Sequence, residues 1–323
     1  MTIAERYTRF AEREVRGVSP AYERLARWVS GDDELLALLG ALPPAAQQPN
    51  LLFAVVRLHN GPVEDPAAFG AYAVGNWPAI EAEIRHRVTQ TNEAGRCAVL
   101  LPVLAALPQP LALLEVGAAA GLCLFPDRYA YRYGGGSTAA RPSWSGRHLL
   151  GAGEPVLDCI ASNLAPPARR PEVVWRAGLD LNPLDVTDPA DVAWLDALIW
   201  PEHEHRRARL RAAAAVVAAD PPLLVRGDLV DDLPALAAQA PADATLVVFH
   251  TSVLYLVPQP RRAAFVEVVR GLPGHWVANE APTVLPYEGL PRPPIDAHLN
   301  VLALDGRPLA WTRGHGQEIS WFG

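Results

Sequence analysis

Apolar positions follow two different rhythms along the chain, and the change comes near residue 110. Before it the spacing is helical: Ile3, Tyr7, Phe10, Ala11 and Val15 share one face of a helix. Ser19-Pro20 then supplies an N-cap and first-turn proline for a helix through Trp28. The same grammar recurs: Pro49 opens 50–58, Asp65-Pro66 a short helix, Pro78 opens 79–88, and Asn92 with Glu93 a run to Leu107. Residues 1–108 are thus expected to be helical throughout, closed by Pro108-Gln109-Pro110.

Beyond that point short apolar runs alternate with Ala-rich helical stretches. Strands are expected at 111–116, 173–179, 223–226, 245–249 and 275–279, and helices at 189–199, 201–219, 232–239 and 260–270. The alternation predicts an α/β fold with a mostly parallel sheet covered by helices on both faces. The segment 298–304, the turn Asp305-Gly306 and 309–312 read as a closing antiparallel hairpin. Residues 134–171 have little period and many turn formers, so they read as an insertion with short strands inside a domain spanning 109–323.

The run at 111–116 ends in Gly117-Ala118-Ala119-Ala120-Gly121, after which helix-spaced apolar residues resume. A buried parallel strand turning tightly into a helix is expected, with its carboxyl end at a corner where ligands sit in such sheets. Gly117 and Gly121 permit the turn and a close backbone approach, and Glu115 places an acceptor-only carboxylate beside it.

The 323 residues are half hydrophobic, enough for one large core or two moderate ones. A formal net charge of -7 argues against a nucleic-acid partner, which requires a concentrated basic face. Every basic residue is arginine, which excludes a lysine Schiff base and a phosphate loop that needs lysine. With so much Ala, Pro and Gly, the arginine usage reads as GC-rich coding and carries little functional weight. Cys97, Cys123 and Cys159 lack metal-ligand spacing and read as buried thiols of a reducing compartment. The amphipathic, charged start and the lack of a long apolar run predict a cytoplasmic protein with no membrane partner. Oligomeric state is not legible.

From Leu111 onward the chain resembles the class I S-adenosylmethionine-dependent methyltransferases, whose sheet is Rossmann-like. Glu115-Val116-Gly117-Ala118-Ala119-Ala120-Gly121 is similar to that superfamily's acidic-x-Gly-x-Gly-x-Gly turn, with Ala119 replacing the middle glycine. Gly178-Leu179-Asp180-Leu181-Asn182-Pro183 resembles the end of the second strand, which implies that Asp180 accepts the ribose hydroxyls of the cofactor. Gly227-Asp228 resembles the third motif and implies that Asp228 receives the adenine amino group. Asp180 follows Glu115 by 65 positions, 180 minus 115, so the match requires the insertion to lie between them. If residues 129–133 formed the second strand instead, Asp180 would lose that role. The resemblance implies S-adenosylmethionine as cofactor, bound at Glu115, Gly117, Ala119, Gly121, Asp180 and Asp228; residues 1–108, outside it, are expected to serve as lid and substrate region. Val247-Val248-Phe249-His250-Thr251-Ser252 stands where the superfamily places substrate-facing residues, without the Pro-Pro-aromatic motif of enzymes that methylate nucleic-acid amino groups. The chain is also similar to an uncharacterised bacterial domain-of-unknown-function family, through Gln90-Thr91-Asn92-Glu93-Ala94-Gly95-Arg96 and Trp194-Leu195-Asp196-Ala197-Leu198-Ile199-Trp200-Pro201-Glu202.

Glu115 also reads as a partner for backbone amides opening the following helix, and Asp228 as a turn residue held by its own backbone; the other candidates have two readings each as well. Asn92, Glu93 and Arg96 read as an N-cap, a first-turn acid and a surface ion pair, or as groups reaching the pocket. Thr251 stands with them as a pocket candidate. His250, with Glu280 at the end of the neighbouring strand, reads as a general base and its orienting carboxylate, or as a merely hydrogen-bonded histidine. His203-Glu204-His205 does not put both imidazoles on one helical face, so no metal is expected. Trp194 and Trp200 read as core, and Tyr129, Tyr131 and Tyr133 as one side of a strand or a pocket wall. The function expected is methyl transfer to a small molecule. The alternatives are a non-catalytic binder of S-adenosylmethionine or another metabolite, and a dinucleotide oxidoreductase, whose glycine pattern the turn fits poorly.

Overall fold

The computed structural model describes residues 1–135, 148–295 and 298–323. Two compact units are present, Met1–Thr91 with Thr187–Ala208, and Asn92–Val186 with Arg209–Gly323. The first is helical. Thr2 and Glu5 form a capping box on Ile3–Arg13, Ser19 caps Pro20–Val29 with Pro20 in its first turn, and Asp32 and Asp65 cap Asp33–Gly40 and Pro66–Gly75. Pro49–Leu58 and Trp77–His86 complete the run. Phe53 is fully buried and meets the rings of Tyr7, Phe10, Tyr22 and Phe69. Trp194 and Trp200 belong to the same core, their indole N–H groups donating to Val88 O (3.2 Å) and Asn50 Oδ1 (3.0 Å).

The second unit is built on an 11-stranded sheet. Its strands are β1 (Leu111–Val116), β2 (Ala130–Gly135), β3 (His148–Leu150), β4 (Val156–Ser162), β5 (Val173–Asp180), β6 (Leu223–Arg226), β7 (Thr245–Thr251), β8 (His275–Glu280), β9 (Leu299–Leu304), β10 (Arg307–Arg313) and β11 (Glu318–Trp321). Their spatial order is β3-β2-β4-β11-β10-β9-β8-β7-β1-β5-β6. From β6 to β8 all pairs are parallel, whereas β9, β10 and β11 are antiparallel to their predecessors. β1 is buried along its whole length, which is why it reads as an uninterrupted apolar run. On one face Gln259–Arg270 sets Phe265 and Val269 against Val248, Trp276 and Ala278, each such large side chain contributing about 1.5–3 kcal/mol.

Several local expectations change. No α-helix follows the glycine corner: a 3-10 turn, Leu122–Leu124, leads into β2, because Pro126 lacks the N–H a helix needs and restricts Phe125 before it. Residues 129–133 do not supply the strand beside β1. They enter β2, near the far edge of the sheet, while β5 pairs directly with β1. Asp180 therefore ends the strand adjacent to β1. The expected insertion contains β3 and β4, with residues 136–147 lying outside those described. The run expected from Asn92 begins as a 3-10 turn, Ala94–Arg96, and becomes α-helical only over Cys97–Leu104.

Candidate functional site

β1 pairs with β5 on one side and β7 on the other, and the chain visits β5 and β6 before crossing to β7. The carboxyl end of β1 is thus where the strand order reverses, the place where open parallel sheets leave a crevice. The turn there is made by left-handed residues at Gly117 (φ 72°), Ala119 (φ 48°) and Gly121 (φ 73°). It is fastened to the end of β5: Gly117 N donates to Leu179 O at 2.8 Å, and Leu184 N to Ala119 O at 3.0 Å. At Gly117 a Cβ would lie 2.4 Å from the Val253 side chain, so this glycine admits a neighbouring loop of the protein itself.

Asp180 receives Ala119 N at 2.8 Å on Oδ2 and Asn182 N at 2.7 Å on Oδ1, joining the corners after β1 and β5 through one half-buried carboxylate. Asn92 reaches the same corner, its Nδ2 donating to Ala118 O (3.2 Å) and its Oδ1 accepting from Leu122 N (3.0 Å). The helix-cap reading of Asn92 is therefore corrected: the 3-10 turn is capped by Glu93, which accepts from Gly95 N at 3.0 Å. Glu93 also takes Arg209 Nε at 2.7 Å, a largely buried ion pair in place of a surface one. Asp228, past the end of β6, is held by Val230 N, Asp231 N and Arg261. Burial pushes its carboxyl up, but those bonds outweigh burial and hold it below the usual range.

Glu115 lies in register with Gly178 of β5 and Phe249 of β7 and is 2 % exposed. Its Oε2 is buried without a partner. Burial, then the neighbouring Cys123 and Asp180, push its pKa well above the carboxylate range, with Arg96 acting in the opposite sense. The Cys123 thiol is itself raised, first by its hydrogen bond with Cys97 and then by burial, so this buried thiol is an inert filler of the corner. Arg96 is only 6 % exposed. It donates from Nε to Gly314 O (3.0 Å) and from Nη1 to Thr251 O (2.8 Å) and Thr251 Oγ1 (3.1 Å). Among the described residues no ion pair joins Arg96 to Glu115, so a buried guanidinium and a buried carboxyl face one corner without touching.

His250 and Glu280 do meet, but they are sealed. His250 Nδ1 lies 2.7 Å from Glu280 Oε1, and its Nε2 accepts Trp276 Nε1 at 3.0 Å, so the ring is a neutral tautomer with both nitrogens engaged and no exposure. Glu280 Oε1 also receives Val253 N (2.8 Å) and Leu254 N (3.1 Å). The pair thereby clamps the turn after β7, where Ser252 adopts a left-handed φ of 54° and Val253 reaches Gly117. Its geometry is that of a positioning pair. The other histidine reading, His203-Glu204-His205, belongs to the first unit, and the described residues contain no cluster suited to a metal ion. Tyr129, Tyr131 and Tyr133 are fully buried, with hydroxyls donating to Leu122 O, Pro126 O and Ala98 O, and form structure and no pocket wall.

Sequence reading passed over Asn279 and Thr312. Asn279, fully buried next to Thr251 on β8, accepts Thr312 Oγ1 at 2.7 Å and leaves its Nδ2 without a partner. The one available signal was an asparagine inside an apolar strand run, where a polar side chain requires a reason.

No helix among the described residues is long and apolar enough to cross a membrane. Neither a curated protein nor a solved structure matches the chain. Residues 4–321 match the family described as an uncharacterized protein conserved in bacteria, DUF2332, and the chain belongs to that family.

Proposed function

We propose that the second unit binds S-adenosylmethionine at the carboxyl ends of β1, β5 and β6 and directs methyl transfer to a small molecule. The observation that carries this reading is the placement of Glu115, Asp180 and Asp228 at or just past the ends of three adjacent parallel strands, around a left-handed turn at the reversal of strand order. The strand order β6-β5-β1-β7-β8 with an antiparallel neighbour also supports a Rossmann-like, methyltransferase-like sheet.

The residues fit the cofactor unevenly. Glu115 fits well, because its orphaned buried oxygen is completed by a cationic or donor group, which at the same time restores its charged form. Asp180 fits by type and place, an acceptor-only carboxylate at the end of the strand beside β1, half-buried and fixed to the corner by Ala119 N. Asp228 fits less well, being engaged by Arg261 and its own loop. Gly117 fits as a packing glycine under Val253. When bound, the sulfonium supplies an activated methyl group. The protein's part is to hold the corner rigid through Asn92 and Asp180, exclude water around Glu115, and orient the two reactants, which by proximity alone supplies much of the acceleration. His250 stabilises the β7 turn and exchanges no proton with an acceptor.

That sealed histidine also favours a second reading, a metabolite-binding protein without turnover. The test is thermal unfolding with S-adenosylmethionine, S-adenosylhomocysteine, NAD and ATP, repeated for Glu115→Gln and Asp180→Asn. A ligand at about a hundred times its dissociation constant adds roughly 2.7 kcal/mol. Stabilisation by the adenosyl sulfur compounds alone, lost in both variants, is the expected result, and its absence in a folded sample refutes the reading. Product formation in an acceptor screen then separates enzyme from binder.

A further inference from the structure

On the β7–β8 side of the same corner the structure holds donors that no acceptor answers. Arg96 reaches Thr251 through Nη1 and Gly314 through Nε, and its Nη2 bonds no described residue. Thr251 is in register with Asn279, so their side chains stand on one face of neighbouring strands about 4.8 Å apart. Thr312 fixes Asn279 from the opposite side by donating to Oδ1 at 2.7 Å, which turns the amide nitrogen away from β10. That nitrogen is buried without a partner in a residue of 0 % exposure. A largely buried guanidinium bonded to Thr251 and a fully buried amide donor on the position in register with Thr251 thus belong to one patch of the sheet, and the carboxyl of Glu115, raised toward its neutral form, makes no ion pair with the arginine.

We propose that Arg96 Nη2 and Asn279 Nδ2 form a binding site for a ligand carboxylate. A planar anion with two oxygens takes one bond from the guanidinium edge and one from the amide, and bonds to charged groups are the strongest a site of this kind makes. The site rests on the reading of this corner as a ligand site. Its carboxylate comes from one of two sources: the amino-acid end of the adenosyl cofactor, or a separate carboxylic acid acceptor.

The experiment is calorimetric binding of S-adenosylhomocysteine, of 5′-methylthioadenosine, which lacks the amino-acid end, and of acetate and succinate, to the wild type and to Asn279→Asp and Asn279→Leu. Asn279→Asp retains the bond from Thr312 but places an anion where the amide donor stood, and Asn279→Leu keeps the volume if the charged variant fails to fold. A preference of at least about tenfold for S-adenosylhomocysteine over methylthioadenosine, abolished in the variants, assigns the site to the cofactor's carboxylate. Equal binding of the two nucleosides together with acetate or succinate binding that the variants lose assigns it to an acceptor. Carboxylate binding unchanged in both variants, or absent from the wild type, overturns the proposal. Failure of both nucleosides with retained, Asn279-dependent succinate binding removes the adenosyl reading and leaves the carboxylate site standing.

Discussion

Glu115 is the residue whose environment says most, because a carboxylate taken out of water with an unpartnered oxygen is costly when charged. Its pKa is raised in the folded protein, so the native state holds the proton more tightly than the unfolded chain. Stability from this group is complete below the ordinary carboxylate pKa of about 4.3 and declines as pH rises toward the folded value. Glu115→Gln removes that slope, and we expect its stability relative to wild type to increase between pH 5 and pH 8 in urea titrations. Cys123, Arg96 and Asp180 face the same group, and the comparison at two pH values cancels contributions the variants share. If the ligand sets positive charge on Glu115, its affinity for the wild type increases over the same interval, and a flat profile counts against that contact. His250 makes the opposite case. Replacing it with Ala removes a buried bond to Glu280, with an expected loss of about 2–4 kcal/mol by denaturant titration.

Among elements, the corner after β1 was legible and its continuation was not. Six consecutive buried positions followed by glycine announce a central parallel strand, and β1 spans the expected residues. Leu122, Leu124 and Phe125 have helical spacing, but the left-handed turn and Pro126 prevail over it. Asn92 followed by Glu93 has the form of a helix start, and only the folded corner shows that its amide is engaged by Ala118 and Leu122. His250 at a strand end has the form of a base, and only Trp276 on the neighbouring strand reveals that its second nitrogen is occupied. Asn279 has no motif around it, because its role depends on Thr312, 33 positions away. The corner also makes backbone predictions. Gly117→Ala meets both the left-handed φ and Val253, with an expected cost of about 2–4 kcal/mol, of which Val253→Ala restores part in a double-mutant cycle. Ala119→Gly relieves a left-handed alanine and is expected to stabilise by up to about 1 kcal/mol in the same assay.

For the whole molecule, ligand binding at the reversal of strand order is expected to slow hydrogen exchange around residues 115–121, 178–182 and 250–254 and to leave 3–58 unchanged. Protection spread evenly over the chain would speak for a different site. The larger outline of the sheet was hidden from sequence for one reason: its outer pairs join distant segments. β4 lies beside β11, with Ile160 in register with Glu318, so β4, and β2 paired beyond it, gain their inner neighbour from near residue 320. During synthesis on the ribosome that middle segment must wait, its pairing groups open to stray strands, until more than a hundred and fifty further residues have been made (318 minus 160 is 158). A nascent chain stopped just after Arg313 would carry nearly every group discussed above and still leave two raw borders in the middle of its sheet, making premature termination a route to aggregation where a simple loss of activity would otherwise be expected.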